Sequence, residues 1–341
     1  MSGGVVDYPR QSPGPHGKTD RAGSAVNGSL GALGDDEDMS LDHVGELLPD
    51  RFNIEHIALT FINALSIQAS QDFNAPMSSY MYMDLDRPDI PVRLTMNRAI
   101  GANPVRLVRK HLIWCLRYLP LEEFNYPSIW GFNFIAKFRG QNLYFGTLDN
   151  RNRQFHTLDM KNENLNNGSV ILQNKRAGSE LKLNASSIPL SAVGLGDAQI
   201  DVDFPPFAGD LLPQVEVFRN IIEFIYKLAP RSKTEMMRNV SLSDTLSVWI
   251  FIMYYDDTRT GETLQVHHII GLLRLLAQRY IFQHIYEEQV FRLTFNGQPF
   301  AAGCVTKADE SRRWCAGMAG ITHSLSPNRT QDLVDDLISS S

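Results

Sequence analysis

Residue types that advertise chemistry are scarce in this chain of 341 residues. Cysteine occurs three times, as Cys115, Cys304 and Cys315. So sparse and odd a set excludes a disulfide scaffold and matches the usage of a reducing compartment. No run of about 18 apolar residues occurs, so no membrane-spanning helix is expected. Positive charge is in deficit, with 32 Lys and Arg against 38 Asp and Glu. Phosphate binding needs a cationic surface, so nucleic acid is not an expected partner. The opening MSGGVVDYPRQSPGPHGK has no basic stretch followed by an apolar one, and the expected location is intracellular and soluble, in cytoplasm or nucleus. In that setting the five Asn-x-Ser/Thr sequons, at Asn27, Asn167, Asn184, Asn239 and Asn328, are coincidental.

Short chemical signatures are missing too. There is no GxGxxG, Walker A loop, HExxH, paired CxxC or GxSxG, so nothing local points to nucleotide, zinc or nucleophile-elbow chemistry. The reading leans away from an enzyme and expects no cofactor and no metal, although sites can assemble from distant residues.

What the chain does carry is periodicity. Residues 1–45, rich in Gly, Ser, Pro and Asp, read as a disordered tail ending near an acidic DDED run. After Pro49, Ile54, Ile57, Ala58, Phe61 and Leu65 recur at helical spacing. Val92, Leu94 and Met96 alternate as on a strand. The stretch NPVRLVRKHLIWCLRYLP reads as a helix capped by Asn103, begun at Pro104 and stopped at Pro120. Phe134, Ala136 and Phe138 then lead into a hairpin at FRGQNLYFG. A polar connector spans 151–175, with short strands at VILQN, ELKLN and AQIDVDF. The helix LPQVEVFRNIIEFIYKLAP, the all-apolar strand VWIFIMYY, a long Leu-rich helix and the hairpin FRLTFNGQPFAAG follow.

The two hairpins lie 157 residues apart, and sliding the chain by that distance makes 12 of the 57 positions over 92–148 identical. The shift sets Met96 on Met253, His111 on His268, Arg117 on Arg274, Phe134 on Phe291 and Gly146 on Gly303. The expected fold is therefore α+β: a helix-strand-helix-hairpin unit written twice, over 46–150 and 176–308, forming a pseudo-dimeric body with a C-terminal extension over 309–341.

Candidate site residues follow from the repeat. His111 and His268 could meet across a pseudo-twofold axis as ligands or as acid and base. The competing reading has each His hydrogen-bonded to backbone at a helix edge. Arg117 and Arg274 could hold a carboxylate or phosphate, or form an ion pair inside each unit. Arg106, Arg109, Lys110 and Arg117, with Trp114 nearby, make one helix face basic. Asp201 and Asp203 alternate on one strand face and could act as a carboxylate pair or bind a hard cation. Cys304 reads as a small buried residue, because it replaces Thr147 in the alignment.

The segments VWIFIMYY, IIGLLRLLAQRY and VFRLTFNGQPFAAG together resemble a pattern in uncharacterised proteins of filamentous fungi. That resemblance implies no activity. The functional expectation is a non-catalytic interaction or assembly protein with a protein partner or self-association. The alternative is an enzyme or small-molecule binder with its site in the cleft between units.

Overall fold

Asn53 begins the first helix. Its backbone is extended and its side-chain oxygen accepts the Glu55 N–H at 2.7 Å, so α1 runs Ile54–Ala69. Every residue from Ile57 to Ala69 is buried, including the polar Thr60, Asn63, Ser66 and Gln68. A helix covered all round belongs at the centre of a core. The computed structural model that shows this describes residues 38–152, 169–171, 187–190 and 200–307, less 78, 85, 86, 88, 100–106, 127, 243–246 and 256–260. Residues 1–37 of the tail, most of the connector, the ELKLN segment, Asn103, Pro104, Cys315 and the 309–341 extension lie outside these.

The first sheet is built around the hairpin of β6 (Phe132–Phe138) and β7 (Gln141–Asn150). Its order is β1 (Met39–Val44), β6, β7, β4 (Val92–Arg98), β3 (Ser79–Met83) and β8 (Ser169–Ile171), antiparallel except for the β3–β8 pair. Residues 39–44, expected within the tail, instead pair with β6 along their whole length. Met39 and Leu41 alternate on the core side, too short a pattern to outweigh the polar residues around it. Above the sheet α2 spans Arg109–Glu123, and Pro120 lies inside it rather than ending it. Proline removes only its own N–H; its carbonyl still accepts from Phe124 N at 3.0 Å and carries the helix one turn further. A ribbon of β2 (Arg51–Phe52) and β5 (Ile129–Trp130) closes one end.

The second sheet has the order β11 (Asn239–Leu242), β12 (Val248–Tyr254), β14 (Gln298–Lys307), β13 (Gln289–Phe295), β10 (Ile200–Asp203) and β9 (Ser187–Pro189). Its helices are α3 (Gln214–Leu228) and α4 (Val266–Gln283). Reading β10, α3, β11, β12, α4, β13, β14 against β1, α1, β3, β4, α2, β6, β7 gives the same connections and the same neighbours. The alignment slips at one place. Met96 pairs with Gly146, but Ile252, not Met253, pairs with Gly303. Met96 accordingly faces the core, whereas Met253 sits one residue further on and faces the other side of its sheet. The four helices pack on one another between the sheets, and one apolar core runs through all of them.

Both hairpins turn through two residues of positive φ: Arg139 at 49° with Gly140 at 73°, and Asn296 at 50° with Gly297 at 77°. That is the geometry whose twist suits paired strands. The later glycines have another role. A Cβ on Gly146 would lie 2.1 Å from the Phe134 ring, and one on Gly303 would lie 2.1 Å from the Phe251 carbonyl oxygen and 2.6 Å from the Phe291 ring. Each phenylalanine lies flat across its neighbour strand because no side chain stands there. Gly303→Ala is expected to cost about 3 kcal/mol by overpacking, and Gly297→Ala, with open space around it, about 1–2 kcal/mol of backbone strain. Urea denaturation of both variants measures the difference.

Candidate functional site

The two matched histidines do not converge. Each occupies the third position of its helix, and each ring turns back to the helix start. His111 Nδ1 accepts the Val108 N–H at 3.5 Å, and His268 Nδ1 accepts the Gln265 N–H at 3.3 Å. Their rings lie in separate halves, His111 beside Phe138 and His268 beside Phe300. His268 is fully buried, and that burial, with a smaller contribution from His267, pushes its pKa down to about 3; a backbone bond at Thr263 opposes both. This is the helix-edge role, and as a neutral acceptor His268 serves the fold.

The matched arginines do something the sequence did not foretell. Arg117 Nε donates to Glu223 on α3 at 2.7 Å, and Arg274 Nε donates to Asn63 on α1 at 2.8 Å. Both bonds run between halves, not inside them as expected. Arg117 and Arg274 are each the ninth residue of their helix, and Glu223 and Asn63 are each the tenth of theirs. Asn63 also accepts from Gln278 at 3.2 Å and donates to Asp84 at 3.2 Å. Arg117 further lies over the Tyr226 ring at 4.5 Å. Arg109, from the basic helix face, is likewise engaged, with Gln68 at 3.1 Å and the Asp72 carbonyl at 2.5 Å, while Trp114 is buried. Arg106 lies outside the described residues.

Asp201 and Asp203 stand half-buried on β10, paired by backbone with Thr294 and Arg292. Cys304 is buried as expected, but it is disulfide-bonded, which overturns the reading of the cysteines as a set without a disulfide. Cys115 is the free thiol of the described residues, and burial holds it protonated by pushing its pKa far up. Among the described residues no group of three His, Cys, Asp or Glu is placed to hold a metal ion, and no helix is long and apolar enough to cross a membrane.

A cleft does open between the halves, though none of the six predicted residues lines it. It measures about 590 Å³ and is formed by Phe52, Ile54, Phe124, Ile129 and Val215, with Arg51, Asn53, Tyr126 and Ser128 supplying polar atoms. Arg51 donates to Ser128 at 2.8 Å. Beside it Glu55, in the first turn of α1, accepts from Gln214 at 3.0 Å and from the Tyr286 hydroxyl at 2.7 Å, tying the start of α1 to α3 and to the segment after α4. Exposed apolar side chains stand near these groups: Tyr126 lines the cleft, Trp130 pairs with Arg51, Leu211 bridges to Glu287, and Ile285 lies between His284 and Tyr286, both bonded to Glu55. Helical spacing missed this site because its residues come from caps, ribbons and loop ends.

No family model matches the chain, and no curated protein matches it. Two solved structures are similar to it, both tandem DUF26 ectodomains of Arabidopsis thaliana cysteine-rich receptor-like proteins. PDLP8 is 6% identical, with 79% of this chain and 98% of that one covered and a TM-score of 0.22. PDLP5 is 8% identical, with 78% and 99% covered and a TM-score of 0.20. Likeness at that level carries no argument about fold or function.

Arg117→Leu withdraws the guanidinium from a buried carboxylate and is expected to destabilise by about 3 kcal/mol, with much of the loss recovered in Arg117→Leu/Glu223→Leu. A double-mutant cycle in urea measures the coupling. The depressed His268 pKa sets a pH dependence. The unfolded His, near 6.5, takes up a proton that the folded one refuses until about pH 3, so stability is full above pH 6.5 and falls between pH 6.5 and 3. His268→Gln is expected to flatten that slope by about one proton, as read by thermal melts across the range.

Proposed function

We propose that the protein is a non-catalytic interaction or assembly protein built on a duplicated α+β unit, and that it associates through the end where the two halves meet. The duplication is supported by the matching strand orders, the paired hairpin turns and the two Arg bonds at equivalent helix positions. The observation that carries the function is the exposure of Tyr126 on the cleft, Trp130 opposite Arg51, Leu211 opposite Glu287, and Ile285 between two residues bonded to Glu55. Aromatic and branched side chains grouped with a cavity form the kind of patch on which interfaces are anchored.

The charges beside the patch favour a second copy as partner. In the β2–β5 ribbon Arg51 stands opposite Trp130, and at the equivalent place in the second half Leu211 stands opposite Glu287. One half offers a cation beside an apolar residue, and the other offers an anion beside one. Twofold docking of two molecules would set Arg51 against Glu287 twice. The Cys304 disulfide removes the cysteine argument for an intracellular site, and association by this surface holds in either compartment.

The cleft supports a second reading, a binder of a small apolar molecule, because its apolar wall takes Val215 from one half and the rest from the other. Sedimentation across a concentration series separates the two. Self-association lost in Trp130→Glu and in Ile285→Arg, with helical signal unchanged, supports assembly. A strictly monomeric wild type that is stabilised thermally by an apolar probe, an effect lost in Val215→Trp, transfers the function to the cleft.

A further inference from the structure

The walls of the cleft are apolar, and the one charged residue that lines it is a cation. Phe52, Phe124 and Ile129 are buried, Ile54 and Val215 are half-buried, and Arg51 is exposed. Arg51 Nη2 donates to the Ser128 hydroxyl at 2.8 Å and, among the described residues, to no carboxylate. A guanidinium presents its N–H groups in a planar fork, so a single bond to Ser128 leaves most of them for a ligand. Ser128 is the acceptor in that bond, and its own hydroxyl proton is left to donate. Two donors thus stand together beside an apolar wall. Glu55 is no partner for them: it does not line the cleft, and its carboxylate is taken up by Gln214, His284 and Tyr286. The pair is peculiar to the first half, since Leu211 and Ile285 occupy the equivalent places in the second.

We infer that the cleft binds a small carboxylic acid with an apolar body, its carboxylate held by Arg51 and Ser128 and its body set against the apolar wall. The inference rests on the reading of the cleft as a small-molecule site, because a guanidinium engaged by a second copy is closed to a ligand. Its volume of about 590 Å³ falls within the range of such sites, about 300–1,000 Å³. The chemistry selects among ligand classes. A neutral apolar molecule covers the wall but leaves the guanidinium to water, and a cation meets like charge at Arg51. A phosphate brings a second charge that finds no second cation among the lining residues. A small anion without an apolar body gains only an ion pair open to solvent, which is weak. A carboxylate matches the guanidinium fork with two parallel bonds, and the apolar body attached to it is removed from water at the same time.

Calorimetric titration of the full chain with 2-naphthoate and with 2-naphthamide, a neutral molecule of the same shape, tests this. The acid is expected to bind about tenfold tighter than the amide, as charge-assisted hydrogen bonds imply. That advantage should vanish in Arg51→Gln, shrink in Ser128→Ala and weaken with added salt, while the amide's affinity stays the same. Neither substitution removes an apolar wall residue, so the helical signal is expected to be unchanged in both. Equal affinities in the wild type, or tighter binding of the amide, with both probes excluded by Val215→Trp, would overturn the carboxylate and leave the cleft a small-molecule site. If neither probe binds, both readings of the cleft fall. An acid preference that survives Arg51→Gln would overturn the assignment to Arg51.

Discussion

The burial of α1 is the constraint on which the rest of the structure depends. A helix enclosed on every side by apolar neighbours could rotate or slide at little cost, because apolar contact is not directional. The polar residues inside α1 prevent this. Asn63 requires Arg274 and Gln278 of α4 and Asp84 after β3, and Gln68 requires Arg109 of α2. Each buried amide left unpartnered would cost about 1–3 kcal/mol, so these few groups fix where three other elements must sit. Glu55 does the same at the start of the helix, through Gln214 and Tyr286.

How far the sequence discloses this depends on the range of the interaction. Periodicity reports local burial, and so α1, β4, α3, β12, both hairpins and the glycines at their turns are legible in it. Gly303 is legible as a close approach because its partner, Phe291, stands on the adjoining strand of the same hairpin. The strand at Met39–Val44 is not, since its identity comes from an edge of β6 some ninety residues later. The Met96–Met253 match is true of the letters and false of the faces, because a strand changes side with a one-residue slip. Arg117 looks like half of an intra-unit ion pair, as helical arginines often are. Its acceptor lies on the other half's first helix, a relation carried by no spacing along the chain.

The two cross-links also show how the halves differ. At the same helix position one half has Glu223 and the other Asn63, so one link is an ion pair and the other a neutral acceptor with a second donor, Gln278. Asn63 bonds Asp84 as well, and a carboxylate at 63 would stand beside that acid in a buried place. Like charges there would repel in a medium that screens them poorly. The amide, which donates to Asp84 while accepting from Arg274, resolves a conflict that Glu223 does not meet.

Differences of this kind are largest where the frame imposes nothing. Core-facing positions in the paired strands stay apolar in both halves, because each must meet the same helical layer. The outer faces have no such duty: one carries the buried Arg93–Asp149 pair with Asn133 and Lys137, while the other carries Trp249, Phe251 and Met253. The same freedom holds at the end of the helical layer, where Arg51 beside Trp130 becomes Glu287 beside Leu211. The surface proposed for association lies at positions where corresponding residues of the two halves differ. The matched histidines and arginines drew notice first because they were identical, and for the same reason they belong to the frame.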